Sequence, residues 1–251
     1  MTALNFVFLA WQCSASRRIL PVGRLLKLES GEHEFVYIRA VEKAQQMGFV
    51  PPLSLPHLDE VVRSAELPPL FKNRVMPVSR PDYPAFVREL GLSSAVDPLQ
   101  LMGRSGGRRV TDEFEVFSPP VDLPNGKSEM YVLVRGVRHV KGAEEAIAGL
   151  VPGQRLLVLR DEQNPHAMHA KLLRTDGTEL VGYLPDYLAQ ELDGPGKPSL
   201  KELFVTVEKV NPSPAPVHHR LLCRVEFPTT DSLFKGADYA PIGIGATSVA
   251  A

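Results

Sequence analysis

Two cysteines in 251 residues leave little room for covalent bracing. Cys13 and Cys223 stand far apart in apolar, strand-like surroundings, which excludes a disulfide framework and a four-ligand zinc site. Both read as buried thiols of a reducing compartment, and the expected location is the cytoplasm. Long apolar runs are also missing. Phe6 to Trp11 is the longest N-terminal stretch and is too short to span a bilayer. It lacks a basic start and a small-residue cleavage site, so no membrane or secretory role is expected. Charge of either sign is not in excess: the net charge is −1, and basic and acidic residues balance within each half. A protein that coats a long polyanion carries a basic surplus. A nucleic acid bound here would therefore meet a local pocket with few phosphates. Catalytic signatures are absent too. There is no Gly-Lys-Ser/Thr phosphate loop, no paired-carboxylate motif and no nucleophile–base pair at recognisable spacing. The expectation is a non-enzymatic protein with no cofactor and no metal.

What is present is an ordinary apolar fraction, 44%, punctuated by 23 prolines and 19 glycines. The pattern predicts an α+β, mostly β chain in two modules. In the first, residues 1–118, Phe6 to Trp11 reads as a buried strand. Arg17 to Leu28 is its partner, with a bulge or bend at Pro21 and Gly23. Phe35 to Ile38 is a third strand, and Val41 to Met47 a short helix stopped by Gly48. The prolines of Pro51 to Pro56 forbid helix and central strand, which leaves an ordered surface crossing. A short helix starts at Pro68-Pro69. Another spans Pro81 to Leu90, with Tyr83, Phe86, Val87 and Leu90 at helical spacing. Asp97 caps a further helix that has Pro98 at its first position. The Gly103 to Arg109 run carries three arginines; a solvated turn is the preferred reading and a phosphate contact the alternative.

This first module resembles the small first subdomain of HipA-type toxin kinases. The carriers are Val22-Gly23-Arg24-Leu25, Phe35-Val36-Tyr37, Pro52-Leu53-Ser54-Leu55-Pro56, Phe71 to Pro77 and Leu99 to Gly107, in matching order over roughly residues 5–117. The kinase body that would follow is absent: no Asp-x-x-x-x-Asn catalytic loop or Asp-Phe-Gly occurs downstream. The resemblance implies a recognition module whose partner is a protein, either a HipA-type kinase or a helicase.

Residues 119–129 read as a linker, because prolines and Asn-Gly occur without apolar periodicity. Residues 130–227 read as short strands at regular spacing with two short helices, as in a small closed or nearly closed barrel. Asp176-Gly177 makes a tight hairpin, and Pro185 opens a helix from Asp186 to Leu192. Residues 228–251 lose periodicity and are expected to form a disordered tail. The 130–227 segment is similar to a HIRAN domain, an OB-like β-barrel. Gly136-Val137-Arg138-His139, Gly153 to Arg160 leading into Asn164-Pro165-His166-Ala167-Met168-His169-Ala170, and Gly182-Tyr183-Leu184-Pro185 carry the similarity.

That resemblance implies capture of single-stranded DNA or DNA ends. Arg138, on the first strand, would donate to a phosphate. His139 would stand at a base-stacking position. Asn164 would hydrogen-bond backbone or base edge. His166 replaces a tyrosine and Tyr183 forms the pocket wall. Ala167 replaces an aspartate that would accept a bond from a terminal hydroxyl, and His169 replaces an asparagine. The residues also support plainer readings. Arg138 can solvate a strand, Asn164-Pro165 can simply initiate a turn, and Tyr183 can close a barrel with its hydroxyl in water. His166-x-x-His169 has no Cys or carboxylate in register for a metal, and His218-His219 reads as a hairpin end. The alternative function is a protein–protein regulator of a HipA-type kinase that binds no nucleic acid.

Overall fold

The structure, a computed structural model, describes residues 6–164, 167–194 and 196–247. The chain forms two compact units, each assembled from segments distant in sequence. The first comprises Met1–Arg80, Val96–Pro119 and Phe234–Ala251; the second comprises Pro81–Ala95 and Pro120–Leu233.

In the first unit β1 (Phe6–Gln12), β2 (Ile19–Lys27), β3 (His33–Tyr37), α1 (Val41–Gln46), β4 (Val62–Ser64) and α2 (Pro69–Lys72) follow in order. Next along the chain, α3 (Tyr83–Glu89) belongs to the second unit, and the first resumes with α4 (Pro98–Ser105) and β5 (Phe114–Phe117). The strands make an antiparallel sheet ordered β4-β3-β2-β1-β5. The predicted irregularity is real: Leu9 pairs with Gly23 but Ala10 pairs with Pro21, so Val22 is an extra residue on β2. A strand alternates its side chains between two faces. Leu9, Leu25, Phe35 and Tyr37 enter one core, with Phe71, Leu99 and Met102 from the helices. The proline-rich crossing is ordered by that core: Leu55 is buried, and its carbonyl accepts a 2.7 Å bond from the Tyr37 hydroxyl. α4 starts as the sequence predicts, with Asp97 accepting from the Leu99 amide at 2.9 Å and Pro98 in the first turn.

The other face of the sheet is covered by a segment that the sequence reading left disordered. Phe234 is buried against Phe8 and Phe117, with Tyr239 beside Phe8. Pro241 bridges Ile38, and the Ile242 amide donates to the Tyr37 carbonyl. The expectation of a disordered tail therefore fails for residues 228–247. Phe6 to Trp11 is apolar at every position because both of its faces are covered.

In the second unit β6 (Val121–Asp122), β7 (Lys127–Leu133), α5 (Ala143–Ala148), β8 (Arg155–Arg160), β9 (Lys171–Arg174), β10 (Leu180–Tyr183), α6 (Asp186–Glu191), β11 (Phe204–Val210) and β12 (Leu221–Pro228) form an antiparallel sheet and its flanking helices. The order is β10-β9-β8-β11-β12-β7-β6. Beyond β7, Arg135 and Tyr183 exchange backbone bonds of 2.9 and 2.8 Å, which pairs the β7 side of the list with β10. Two boundaries differ from the sequence reading. The 119–129 segment is no linker: β6 and β7 pair across an Asn125-Gly126 turn, and Ser128 donates its hydroxyl to Asp122. And α3 belongs here, because its Glu89 meets the buried His219 at 2.8 Å, and Asn211 donates its amide to the Glu89 carbonyl. Proline density and polar turns resemble linker composition, but hairpin turns use the same residues. Among the described residues, no helix is long and apolar enough to cross a membrane.

Candidate nucleic-acid site

The loop after β8 is built around a carboxylate to which the sequence reading gave no role. The Asp161 amide donates to the Ala170 carbonyl at 3.0 Å, so both ends of the loop are tied as β8 and β9 diverge. Asn164 Nδ2 donates to Asp161 Oδ2 at 3.1 Å, and Asn164 Oδ1 accepts from the Ala167 amide at 3.0 Å. One asparagine thus clips the loop on both sides of Pro165 and His166. Those two residues lie outside the described residues, so His166, predicted as a site residue, is not placed. The same Asp161 oxygen accepts the Tyr183 hydroxyl at 2.9 Å. Asn164 and Tyr183, two of the predicted site residues, therefore meet at one half-buried carboxylate. Burial, followed by the bond to Asp161, pushes the Tyr183 hydroxyl above its usual pKa, so it stays a neutral donor at physiological pH.

Arg138 and His139 do not lie on a strand. β7 ends at Leu133, and Val137–His139 is a single 3-10 turn. Gly136 causes the break. Its φ of +68° is left-handed, and a Cβ there would sit 2.8 Å from the Tyr183 ring. Only glycine both takes that backbone conformation and lets the ring approach so closely. The turn that begins on the Tyr183 ring carries exposed Arg138 and His139, followed by exposed Lys141. Among the described residues no hydrogen bond or ion pair engages the side chains of these three.

A second polar cluster braces the end of the loop. Lys171 is fully buried, yet its ammonium donates to Asp193 at 2.7 Å and to the His169 carbonyl at 2.8 Å. Arg160 reaches the same Asp193 oxygen at 2.9 Å, and His169 Nδ1 meets the other. Burial raises the Asp193 pKa, but the bonds from Lys171 and His169 and the charges of Lys171 and Arg160 outweigh it and hold the carboxyl below its ordinary range. His169 is thus spent on Asp193. Among the described residues no cluster of His, Cys, Asp or Glu is arranged to hold a metal ion.

The other candidates have structural partners. His219 is buried and paired with Glu89. In the arginine-rich run of the first unit, Arg108 faces the buried Glu115 at 3.6 Å, and Arg109 donates to the Asn73 carbonyl at 2.9 Å. What the sequence reading missed, Asp161 and Asp193, had one signal between them: Asp-x-x-Asn after an apolar strand is the composition of a side-chain-locked turn. Asp193 was unreadable, because its three partners lie more than twenty positions upstream.

No family model matches the sequence, and no curated protein matches it. Among solved structures, a protein from Lactobacillus plantarum is 18% identical at a TM-score of 0.30, over 41% of this chain and 97% of that one. The HIRAN domain of human HLTF is 15% identical at a TM-score of 0.29, over 42% of this chain and 81% of that one.

Proposed function

We propose that the second unit is a binding module for single-stranded nucleic acid, DNA or DNA ends being the preferred ligand. We read its sheet as a barrel closed through the Arg135–Tyr183 pairing. One observation carries the reading: Arg138 and His139 on a turn seated on the ring of Tyr183, and Lys141 just after it, are exposed basic side chains that are unpaired among the described residues. A folded protein gains little from leaving such a group unpaired beside a pinned aromatic, whereas a phosphate with an adjoining base uses both. The phosphate takes charge-assisted bonds from Arg138 and Lys141, and the base stacks on His139 or the open part of Tyr183. Stacking contributes roughly 1–3 kcal/mol per base. The loop offers no carboxylate at Ala167, but Asp161 supplies one beside Asn164 and Tyr183. Its second oxygen has no hydrogen bond among the described residues, so it is the acceptor available to a ligand hydroxyl.

Polarisation titration of the full chain with short oligonucleotides ending in a 3′-hydroxyl or a 3′-phosphate tests this. Expected are binding at low salt and a preference for the hydroxyl end. Arg138→Ala should weaken affinity about tenfold and lower the slope of log affinity against log salt by about 0.7, the value for one phosphate contact on a single strand. Absence of binding at low salt, or an Arg138→Ala titration that overlays the wild type, would falsify the assignment.

A further inference from the structure

The first unit grips residues 241–247 through a polar cluster on its sheet, apart from the candidate nucleic-acid site. Arg24 on β2, Glu34 on β3 and Arg63 on β4 share the sheet face opposite the main core. Glu34 and Arg24 are 1% and 6% exposed. Together they grip the segment 241–247. The Glu34 carboxylate accepts the Thr247 amide at 2.9 Å and the Thr247 hydroxyl at 2.8 Å. Arg24 donates to the Thr247 carbonyl at 2.6 Å, and Arg63 donates to both Glu34 and the Gly245 carbonyl. The Ile242 amide adds a bond to the Tyr37 carbonyl at 3.0 Å.

Nearly all of this recognition is of backbone, made by side chains on the sheet face to a segment that turns at residues 243–245, where Gly245 has a φ of +82°. Side-chain selectivity enters at Ile242, which packs against the main core, at Gly245, whose φ is +82°, and at two further positions. At Thr247 a hydroxyl is read by a buried carboxylate. At Gly243 a Cβ would come within 2.7 Å of Val61 and 3.3 Å of the Asp59 carbonyl, so only glycine fits. Between them Ile244 is almost wholly exposed and contributes no packing to the hold. Arg24 Nε is buried with no partner among the described residues, on the same guanidinium that holds Thr247. Buried donors left unmet are uncommon and costly.

We propose that this groove is an acceptor site for a turn-forming peptide of pattern Gly-x-Gly-x-Thr/Ser on a partner protein, and that residues 241–247 occupy it in cis. Phe234 and Tyr239 anchor the preceding stretch on Phe8, so residues 241–247 can leave without uncovering the aromatic cluster.

The test uses the full chain and a fluorescent peptide copying residues 239–247. In wild type the cis segment competes, and capture should be weak. Gly243→Val expels the cis segment without altering a groove residue, and should bind the peptide at least tenfold more tightly. A peptide with valine in place of its threonine should lose at least tenfold. Thr247→Val in the chain, a milder change, should give intermediate capture and serves if Gly243→Val fails to fold. A folded variant that captures no peptide, or captures the valine peptide equally well, overturns the proposal. So does a concentration-dependent dimer of the Gly243→Val chain that excludes the peptide, because the groove would then serve exchange between copies.

Discussion

The two units each contain a carboxylate that organises a polar cluster, and the two clusters are finished to different degrees. Glu34 is buried, and both of its oxygens are filled by a guanidinium, an amide and a hydroxyl. Asp161 is half-buried and uses one oxygen for Tyr183 and Asn164, beside a turn whose basic side chains are exposed and unpaired among the described residues. A closed cluster contributes chiefly to stability, because breaking it strands a buried charge. An open cluster contributes little to stability and keeps its hydrogen-bonding capacity for a ligand. Perturbing the two clusters in parallel separates those roles.

The largest effect should come from the closed cluster. Glu34→Ala removes the partner of half-exposed Arg63 and of Thr247, and the negative charge that favours buried Arg24, and should cost about 3 kcal/mol, the low end for breaking a buried pair. Urea unfolding followed by fluorescence of Trp11, buried in the same unit, should show the transition shifted to lower urea. An unshifted midpoint would mean that the groove is not a stability element. Asp193→Asn should cost about 3 kcal/mol by the same reasoning, since it strands the fully buried Lys171. Limited proteolysis should then cut near the 161–170 loop, and a resistant loop would argue against the brace.

A pH series sharpens the contrast. Despite the opposing effect of burial, Glu34 is held below its ordinary pKa by the Thr247 amide, Arg63 and the Thr247 hydroxyl; Asp193 is held low by Lys171, His169 and Arg160. A carboxylate depressed in the folded state contributes stability that is fully present above its unfolded pKa and lost as pH falls through the folded value. The urea midpoint should therefore hold from neutrality down to the ordinary carboxylate range and drop below it. Glu34→Gln should flatten part of that drop. A midpoint that instead falls on the alkaline side would contradict the assignment.

The smallest effects on stability belong to the open cluster. Tyr183→Phe removes one hydrogen bond and should cost about 1 kcal/mol. Arg138→Ala should change stability by less than about 0.5 kcal/mol, the usual range for an exposed position, while weakening oligonucleotide binding. If Arg138→Ala destabilised the unit as much as Asp193→Asn, the turn would be structural and the contrast between the clusters would collapse.

Much of the local structure was legible because local rules decide it. Asp97-Pro98 starts a helix, Asp176-Gly177 turns a hairpin, and the Pro21–Gly23 irregularity bends β2. The α+β character with two antiparallel sheets follows from the same short-range patterns.

By itself, then, the sequence determined where many of the strands, turns and caps form, though not β6, the start of β7 or the turn at Arg138, and it showed that β1 is apolar on both faces. That second property already required a cover for each face, but composition cannot say which distant segment supplies it. Only the tertiary structure assigned that task to residues 234–247, moved α3 to the second unit through Glu89 and His219, and brought Asp161 to Tyr183 and Asp193 to Lys171. The reason is physical. Capping and turn bonds join residues a few positions apart and leave a pattern in the sequence, whereas a buried ion pair is set by where the backbone brings two charges together.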